Sequence, residues 1–261
     1  MNYNTPDNLK LCLGCIDLTT LNSTDTVERV VSFANKVNGF KEAFPDYPAP
    51  AAICVYPNMG EAVKGALKAE GVNVAVVAGG FPTSQTFLDV KLLECRMAVE
   101  RGADEVDIVI ALNAFLADDM EKAAQEIMAI KETVGKKHLK VILETGALQS
   151  GEAIAKASFM AMEAGADFIK TSTGKMEPAA TPMAARIMCN CIKEYYATTG
   201  RKVGFKPAGG ISTVEDALGY LAIVDEILGR EWLNPQLFRI GASRLANNIL
   251  SELEKKTIGY F

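Results

Sequence analysis

An eightfold alternation of short apolar runs with longer helical patterns constrains this chain more than any other feature. Runs rich in Val, Ile and Ala lie near residues 13–18, 51–57, 72–79, 105–111, 139–145, 168–172, 203–209 and 237–242. Helical patterns fall near 24–37, 59–70, 84–101, 117–135, 150–164, 181–199, 213–229 and 243–256. Strands that alternate with helices are the signature of β/α units on a parallel sheet. Eight units predict an α/β fold, a single-domain (β/α)8 TIM barrel over residues 1–261. Alternation alone does not prove closure, so a doubly wound open sheet is the structural alternative.

The element boundaries carry their own signals. Ser23-Thr24-Asp25 precedes the first helical pattern, Ser84 the third and Thr181-Pro182 the sixth, while Ser212-Thr213-Val214-Glu215 has the form of a capping box. Gly71, Gly102, Gly165 and Gly200 stand where helices are expected to end. The junctions Arg101-Gly102-Ala103-Asp104 and Ala164-Gly165-Ala166-Asp167 repeat one helix-to-strand connection. Pro45, Pro48 and Pro50 mark an extended loop before the second strand, and no low-complexity linker divides the chain.

At 261 residues, 49% hydrophobic and 23% charged, the chain suffices for one large core. A net charge of −5 argues against broad binding to nucleic acid or to an anionic membrane, and leaves room for a local basic pocket. The opening segment from Met1 to Pro6 lacks the basic and apolar stretches of an export signal, and no apolar run reaches transmembrane length. A cytoplasmic protein is expected. The six cysteines then read as reduced thiols, and the Cys12/Cys15 and Cys189/Cys191 spacings lack the partner ligands of a zinc site. No metal and no cofactor are expected.

Two lysines carry the chemistry. Lys170 and Lys206 each lie in a short apolar strand that ends in small residues, where a buried ammonium is penalised unless its charge is used or removed. The sixth and seventh strands are neighbours in a barrel of sequential order. At roughly 4 Å and an effective dielectric near 20, two ammonium groups repel by about 4 kcal/mol, or about three pKa units. Such repulsion turns an amine into a nucleophile that forms Schiff bases with carbonyl groups. Asp107, embedded in the apolar fourth strand, is a candidate for moving protons, and Asp17 and Thr19 close the first strand. Each has a plainer alternative: a lysine can snorkel or pair with a carboxylate, Asp107 can serve as a structural acceptor, and Asp17 can brace its loop. Lys140 and Glu144 are candidates for internal polar layers whose roles stay open.

Glycine-rich strand ends point to an anion site. Thr173-Gly174-Lys175, Gly209-Gly210 and Gly241-Ala242-Ser243-Arg244 follow the sixth, seventh and eighth strands, where barrels commonly hold phosphate on backbone amides and helix N-termini.

These segments, with Asp17-Leu18-Thr19-Thr20-Leu21, Ala52 through Pro57, Gly102 through Asp107, Phe168 through Lys175 and Gly204 through Gly210, resemble the 2-deoxyribose-5-phosphate aldolase family over nearly the whole chain. The resemblance implies a metal-independent, Schiff-base aldolase on a TIM barrel. It also implies reversible cleavage of 2-deoxy-D-ribose 5-phosphate to acetaldehyde and D-glyceraldehyde 3-phosphate in deoxyribonucleoside catabolism. The roles it carries over are Schiff-base lysine for Lys170, neighbouring amine for Lys206 and proton-relay carboxylate for Asp107. Asp17, Thr19, Thr173, Gly174, Lys175, Gly209, Gly210, Gly241, Ser243 and Arg244 become expected substrate contacts. The expected partners are a phosphosugar, an aldehyde and further copies of the chain.

This sequence departs from the family pattern in two places. Ser212 stands where the family often has arginine, and Arg244 where it often has serine or threonine, so the charge that meets phosphate is expected from the eighth strand's loop. A terminal tyrosine reaches the active site in some members, whereas Tyr260 here is offset by one position from the end of the chain. Another lysine-dependent aldolase or transaldolase, and a noncatalytic phosphosugar-binding regulator, are the alternative functions. Cys54, in the second strand near the expected mouth, is a candidate for attack by enals, and a buried inert thiol is its alternative.

Overall fold

The computed structural model describes residues 3–261; Met1 and Asn2, part of the opening segment, lie outside the described residues. Eight parallel strands run in sequence order: β1 (Ile16–Thr19), β2 (Ala52–Val55), β3 (Asn73–Val77), β4 (Glu105–Val109), β5 (His138–Ile142), β6 (Phe168–Lys170), β7 (Gly204–Lys206) and β8 (Ile240–Ala242). β8 pairs with β1. Bridges Phe205 to Phe238 and Ala208 to Gly241 join β7 to β8, with the Gly241 amide donating to the Pro207 carbonyl at 2.9 Å. The sheet is therefore closed, and the open-sheet alternative is set aside.

Period-two geometry divides the side chains between two cores. Outward-facing Ile53, Val74, Val106, Leu139, Ile169 and Phe205 are buried with Val30, Ile127, Met188, Leu221 and Ile249 of the surrounding helices. Each such side chain contributes roughly 1.5–3 kcal/mol on burial. Inside the barrel, Ala52, Cys54, Ala75 and Val77 of β2 and β3 form a small apolar wall with Leu21. The opposite interior is charged, with Asp17, Glu105, Asp107, Lys140, Lys170, Lys206 and Arg239 all buried. Gly204 is required in this interior because a Cβ there would stand 2.3 Å from the Phe168 ring.

The eight expected helices form over Val27–Asn38, Gly60–Ala66, Leu88–Glu100, Met120–Val134, Gly151–Glu163, Pro182–Thr199, Val214–Leu228 and Leu245–Glu254. Thr181 caps the Ala184 amide ahead of Pro182, and Gly200 ends that helix at φ 71°. The capping box forms between Thr213 and Asp216, one residue beyond Glu215. Thr26, not Ser23, caps the first of these helices, and Phe87 without a side-chain bond begins the third. A further helix, Pro6–Gly14, precedes β1 and takes up residues 13 and 14 of the first expected strand. Its Leu9, Cys12 and Leu13 lie at helical spacing and run into β1 without a breaker, which hides the boundary. Short helices Phe40–Ala43, Leu112–Leu116 and Thr145–Leu148 were also unanticipated. No helix among the described residues is long and apolar enough to cross a membrane.

The chain's last residues pack against the outer helices, with Asn247 Oδ1 in the first turn of Leu245–Glu254 accepting from the Tyr260 and Phe261 amides at 2.9 and 3.0 Å. The Tyr260 hydroxyl donates to the Lys36 carbonyl at 2.7 Å near the end of helix Val27–Asn38, and its ring meets Phe40 and Phe44 edge-on. Tyr260 is thus engaged with the outer helices Val27–Asn38 and Leu245–Glu254.

Candidate active site

At the carboxyl ends of the strands a cavity of about 550 Å³ opens, with Lys170 in its lining. Lys170 is 4% exposed, and Lys206 and Asp107 lie behind it at 0%. Lys170 and Lys206 are Cα partners across β6 and β7. Asp107 Oδ2 accepts from Lys170 Nζ at 2.9 Å and from Lys206 Nζ at 2.7 Å, while its Oδ1 accepts from Lys140 at 2.8 Å. Inward phase on three strands therefore brings both expected catalytic lysines to one oxygen of the expected carboxylate.

Their charges follow from this arrangement. Burial pushes the Lys170 ammonium below its ordinary value; Asp107 pulls the other way and Lys206 adds to the lowering. Desolvation is thus the first cause, ahead of the like-charge repulsion on which the sequence expectation rested. Lys206 is also desolvated, yet Asp107 and Asp17 push its value up, so it stays an ammonium. Asp107, though desolvated, is held well below the usual carboxylate range by Lys140, Lys170 and Lys206. It is therefore a hydrogen-bonding hub that stays ionised.

Asp17, expected to touch substrate, lies below the cavity with both oxygens engaged. Oδ2 accepts from Lys206 at 2.5 Å and Oδ1 from Arg239 at 2.7 Å. Its effect on the site passes through Lys206. Thr19, Thr173, Gly174, Lys175, Gly209, Gly210, Gly241, Ser243 and Arg244 do line the cavity, together with Ser212. The Lys175 ammonium donates to the Leu21 carbonyl at 2.6 Å, tying the loops after β6 and β1 together. Gly209, at φ 90°, has no room for a Cβ, which would meet Ala179 at 2.6 Å. Helix Leu245–Glu254 starts without a side-chain cap at Arg244, a residue of the cavity lining. The exposed Arg244 guanidinium has no ion-pair or hydrogen-bond partner among the described residues.

Three residues that sequence reasoning missed or left open now have places. Glu144, in the left-handed region at φ 54°, holds the β6 loop by accepting from the Thr173 amide at 3.1 Å and from its hydroxyl. Glu105 and Arg239 form a bidentate pair below Asp17 and Lys140. The available signal was strand phase: Glu105 shares the face of Asp107, and Arg239 the face of Gly241. Cys54 is buried, and desolvation raises its thiol pKa, which fits the inert alternative. No group of three or more His, Cys, Asp or Glu among the described residues is arranged to hold a metal. The carboxylates Asp17, Glu105 and Asp107 are instead filled by cations.

Comparison with known proteins places this geometry in a family. The human deoxyribose-phosphate aldolase is 44% identical over 257 residues, covering 94% of this chain and 80% of that protein. The Bos taurus deoxyribose-phosphate aldolase is 43% identical over 258 residues, covering 95% and 81%. A solved aldolase, QR15, superposes with a TM-score of 0.75 at 27% identity, covering 94% of this chain and 96% of that one. The profile described as DeoC/LacD family aldolase matches residues 12–241. With the closed barrel and the buried lysine pair, these matches establish that the chain belongs to the DeoC/LacD aldolase family.

Proposed function

We propose that the whole chain acts as one catalytic domain that reversibly cleaves 2-deoxy-D-ribose 5-phosphate to acetaldehyde and D-glyceraldehyde 3-phosphate. The observation that carries this is Lys170: it lines the cavity, and its ammonium form is disfavoured while the cations behind it are stabilised.

The neutral Lys170 amine attacks the C1 aldehyde of the open-chain sugar, and loss of water leaves an iminium. The C3 hydroxyl gives up its proton, and the C2–C3 bond breaks toward the iminium. D-Glyceraldehyde 3-phosphate departs and an enamine stays on Lys170. Protonation at C2 and hydrolysis then release acetaldehyde and restore the amine. Asp107 holds Lys170 and Lys206 on one oxygen and so orients the attacking amine, while the proton that Lys170 loses passes to solvent in the cavity that Lys170 lines. The ammonium of Lys206 stabilises oxyanions that develop beside it. The apolar wall of Ala52, Cys54, Ala75 and Val77 leaves the two-carbon fragment in a site of low polarity. The phosphate is met by the amides near Gly174, Gly210 and Ser243 and by Arg244.

Incubation with 2-deoxyribose 5-phosphate should release acetaldehyde and glyceraldehyde 3-phosphate in equal amounts, and Lys170→Leu should abolish the release. A parent protein that binds the phosphosugar without turnover would support the regulator alternative, and turnover that survives Lys170→Leu would remove the nucleophile assignment.

A further inference from the structure

Beneath the catalytic amines lies a layer of charge that no step of the cleavage uses. Arg239 Nη1 donates to Asp17 Oδ1 at 2.7 Å and to Glu105 Oε2 at 3.0 Å, and Nη2 donates to Glu105 Oε1 at 2.7 Å. Lys140 joins Glu105 Oε2 at 2.5 Å to Asp107 Oδ1 at 2.8 Å. Asn73 completes Glu105 by donating to Oε1 at 2.7 Å. All four cations and all three carboxylates of the cluster are buried.

The bonding is unequal among the cations. Arg239 bridges Glu105 and Asp17, Lys140 bridges Glu105 and Asp107, and Lys206 bridges Asp17 and Asp107. Lys170 touches a single carboxylate oxygen, one that Lys206 already occupies more closely. With four cations on three carboxylates, one positive charge is in surplus, and the geometry assigns the surplus to Lys170.

We propose that Glu105 and Arg239 are positioning residues of the aldolase site: by committing Lys140 and Asp17 to the lower layer, they keep Lys170 the one cation without a carboxylate oxygen of its own. Neither residue reaches the cavity. Both act through the chain from Glu105 by Lys140 to Asp107, and from Arg239 by Asp17 to Lys206. The directions of the charge preferences agree, since Arg239, Lys140 and Lys206 are all driven toward the charged form and Lys170 alone is driven away from it.

The ionisable groups facing this cluster come from six strands and one strand-leading residue: Asp17 from β1, Cys54 from β2, Glu105 and Asp107 from β4, His138 and Lys140 from β5, Lys170 from β6, Lys206 from β7, and Arg239 just before β8. The His138 ring lies at the outer end, with Nδ1 at 3.9 Å from Glu105 Oε1. Changing one charge in the lower layer therefore moves the balance at Lys170 with a predictable sign. Removal of the Glu105 charge leaves more positive surplus and disfavours the Lys170 ammonium further. Removal of the Arg239 charge does the reverse.

The inference rests on Lys170 as the Schiff-base lysine, so the test reads that residue directly. Each full-length variant is treated with acetaldehyde and cyanoborohydride across a pH series, and the initial rate of Lys170 ethylation is followed by peptide mass spectrometry. Glu105→Gln should move the midpoint of the pH profile down by about one unit and Arg239→Gln should move it up by about one unit, the size expected for one charge at an effective dielectric near 20. The double variant should return the midpoint to within a few tenths of the parent. A merely structural layer would lower stability or the labelling plateau without opposite shifts, so shifts of the same sign, or none, in folded variants would overturn the proposal. If one single variant fails to fold, the other carries the sign; a double variant displaced by more than half a unit likewise overturns it. No labelling of Lys170 in the parent protein would instead overturn the Schiff-base assignment beneath it.

Discussion

Lys170 and Lys206 stand opposite one another in the β6–β7 register and donate to the same oxygen, Asp107 Oδ2, at 2.9 and 2.7 Å. Equal surroundings would leave them equally charged. Asp17 breaks the symmetry, because it contacts Lys206 and not Lys170. The result is a protonated amine beside one whose protonation is disfavoured, and it is the second that lines the cavity.

The first prediction follows from that asymmetry. Lys206→Leu removes a positive charge from beside Lys170, so the midpoint for imine formation should rise in pH. It also leaves Asp17 Oδ2 with Lys140 at 3.7 Å as its remaining cation, and loss of a partner in a buried pair costs roughly 3–5 kcal/mol. The variant should therefore melt at a lower temperature while keeping a native circular dichroism spectrum. A pH profile that does not move would remove Lys206 from the tuning of Lys170.

Arg244 gives the second prediction. A charge-assisted contact to phosphate contributes roughly 1.5–3 kcal/mol, so Arg244→Ala should lower kcat/KM for 2-deoxyribose 5-phosphate by about one to two powers of ten. Cleavage of unphosphorylated 2-deoxyribose should change little, and adding Ser212→Arg should restore part of the loss, because both residues line the same cavity. Equal damage to both substrates would mean that Arg244 supports the fold of the last helix instead.

Much of this architecture was legible because a repeated β/α period is written in apolar spacing. The strand pattern located all eight strands and put Lys170, Lys206 and Asp107 on the sixth, seventh and fourth of them. The network beneath them was less legible. Asp17 read as a loop brace or a substrate contact because its partners, Lys206 and Arg239, lie 189 and 222 residues away in sequence. Burial of charge is a tertiary property, and neither Glu105 nor Arg239 has a local motif to announce it. The helix Pro6–Gly14 was missed for a different reason, since its apolar face continues directly into β1.

Acid stability supplies the third prediction. Asp17, Glu105 and Asp107 all have carboxyl values below the ordinary range in the folded chain, owing to Lys140, Lys206, Arg239 and, at Asp107, Lys170. Their stabilisation is fully present above the unfolded values of about 4 and is lost as pH falls through that range toward the folded ones. Lys170, disfavoured as an ammonium, lowers stability as pH falls from about 10 toward its folded value. Lys140 and Lys206, with raised values, lose their contribution only above about pH 10. Thermal melts should thus hold a plateau near neutrality and fall steeply below about pH 4. An equal melting temperature at pH 3 and pH 7 would contradict the buried network of ionised pairs.

The most direct test of the account is the site of covalent attachment. Acetaldehyde with borohydride should add one ethyl group at Lys170, located by peptide mass spectrometry, and 2-deoxyribose 5-phosphate with borohydride should mark the same lysine. Modification of Lys206 with Lys170 untouched, or labelling spread over the exposed lysines with none at Lys170, would contradict it.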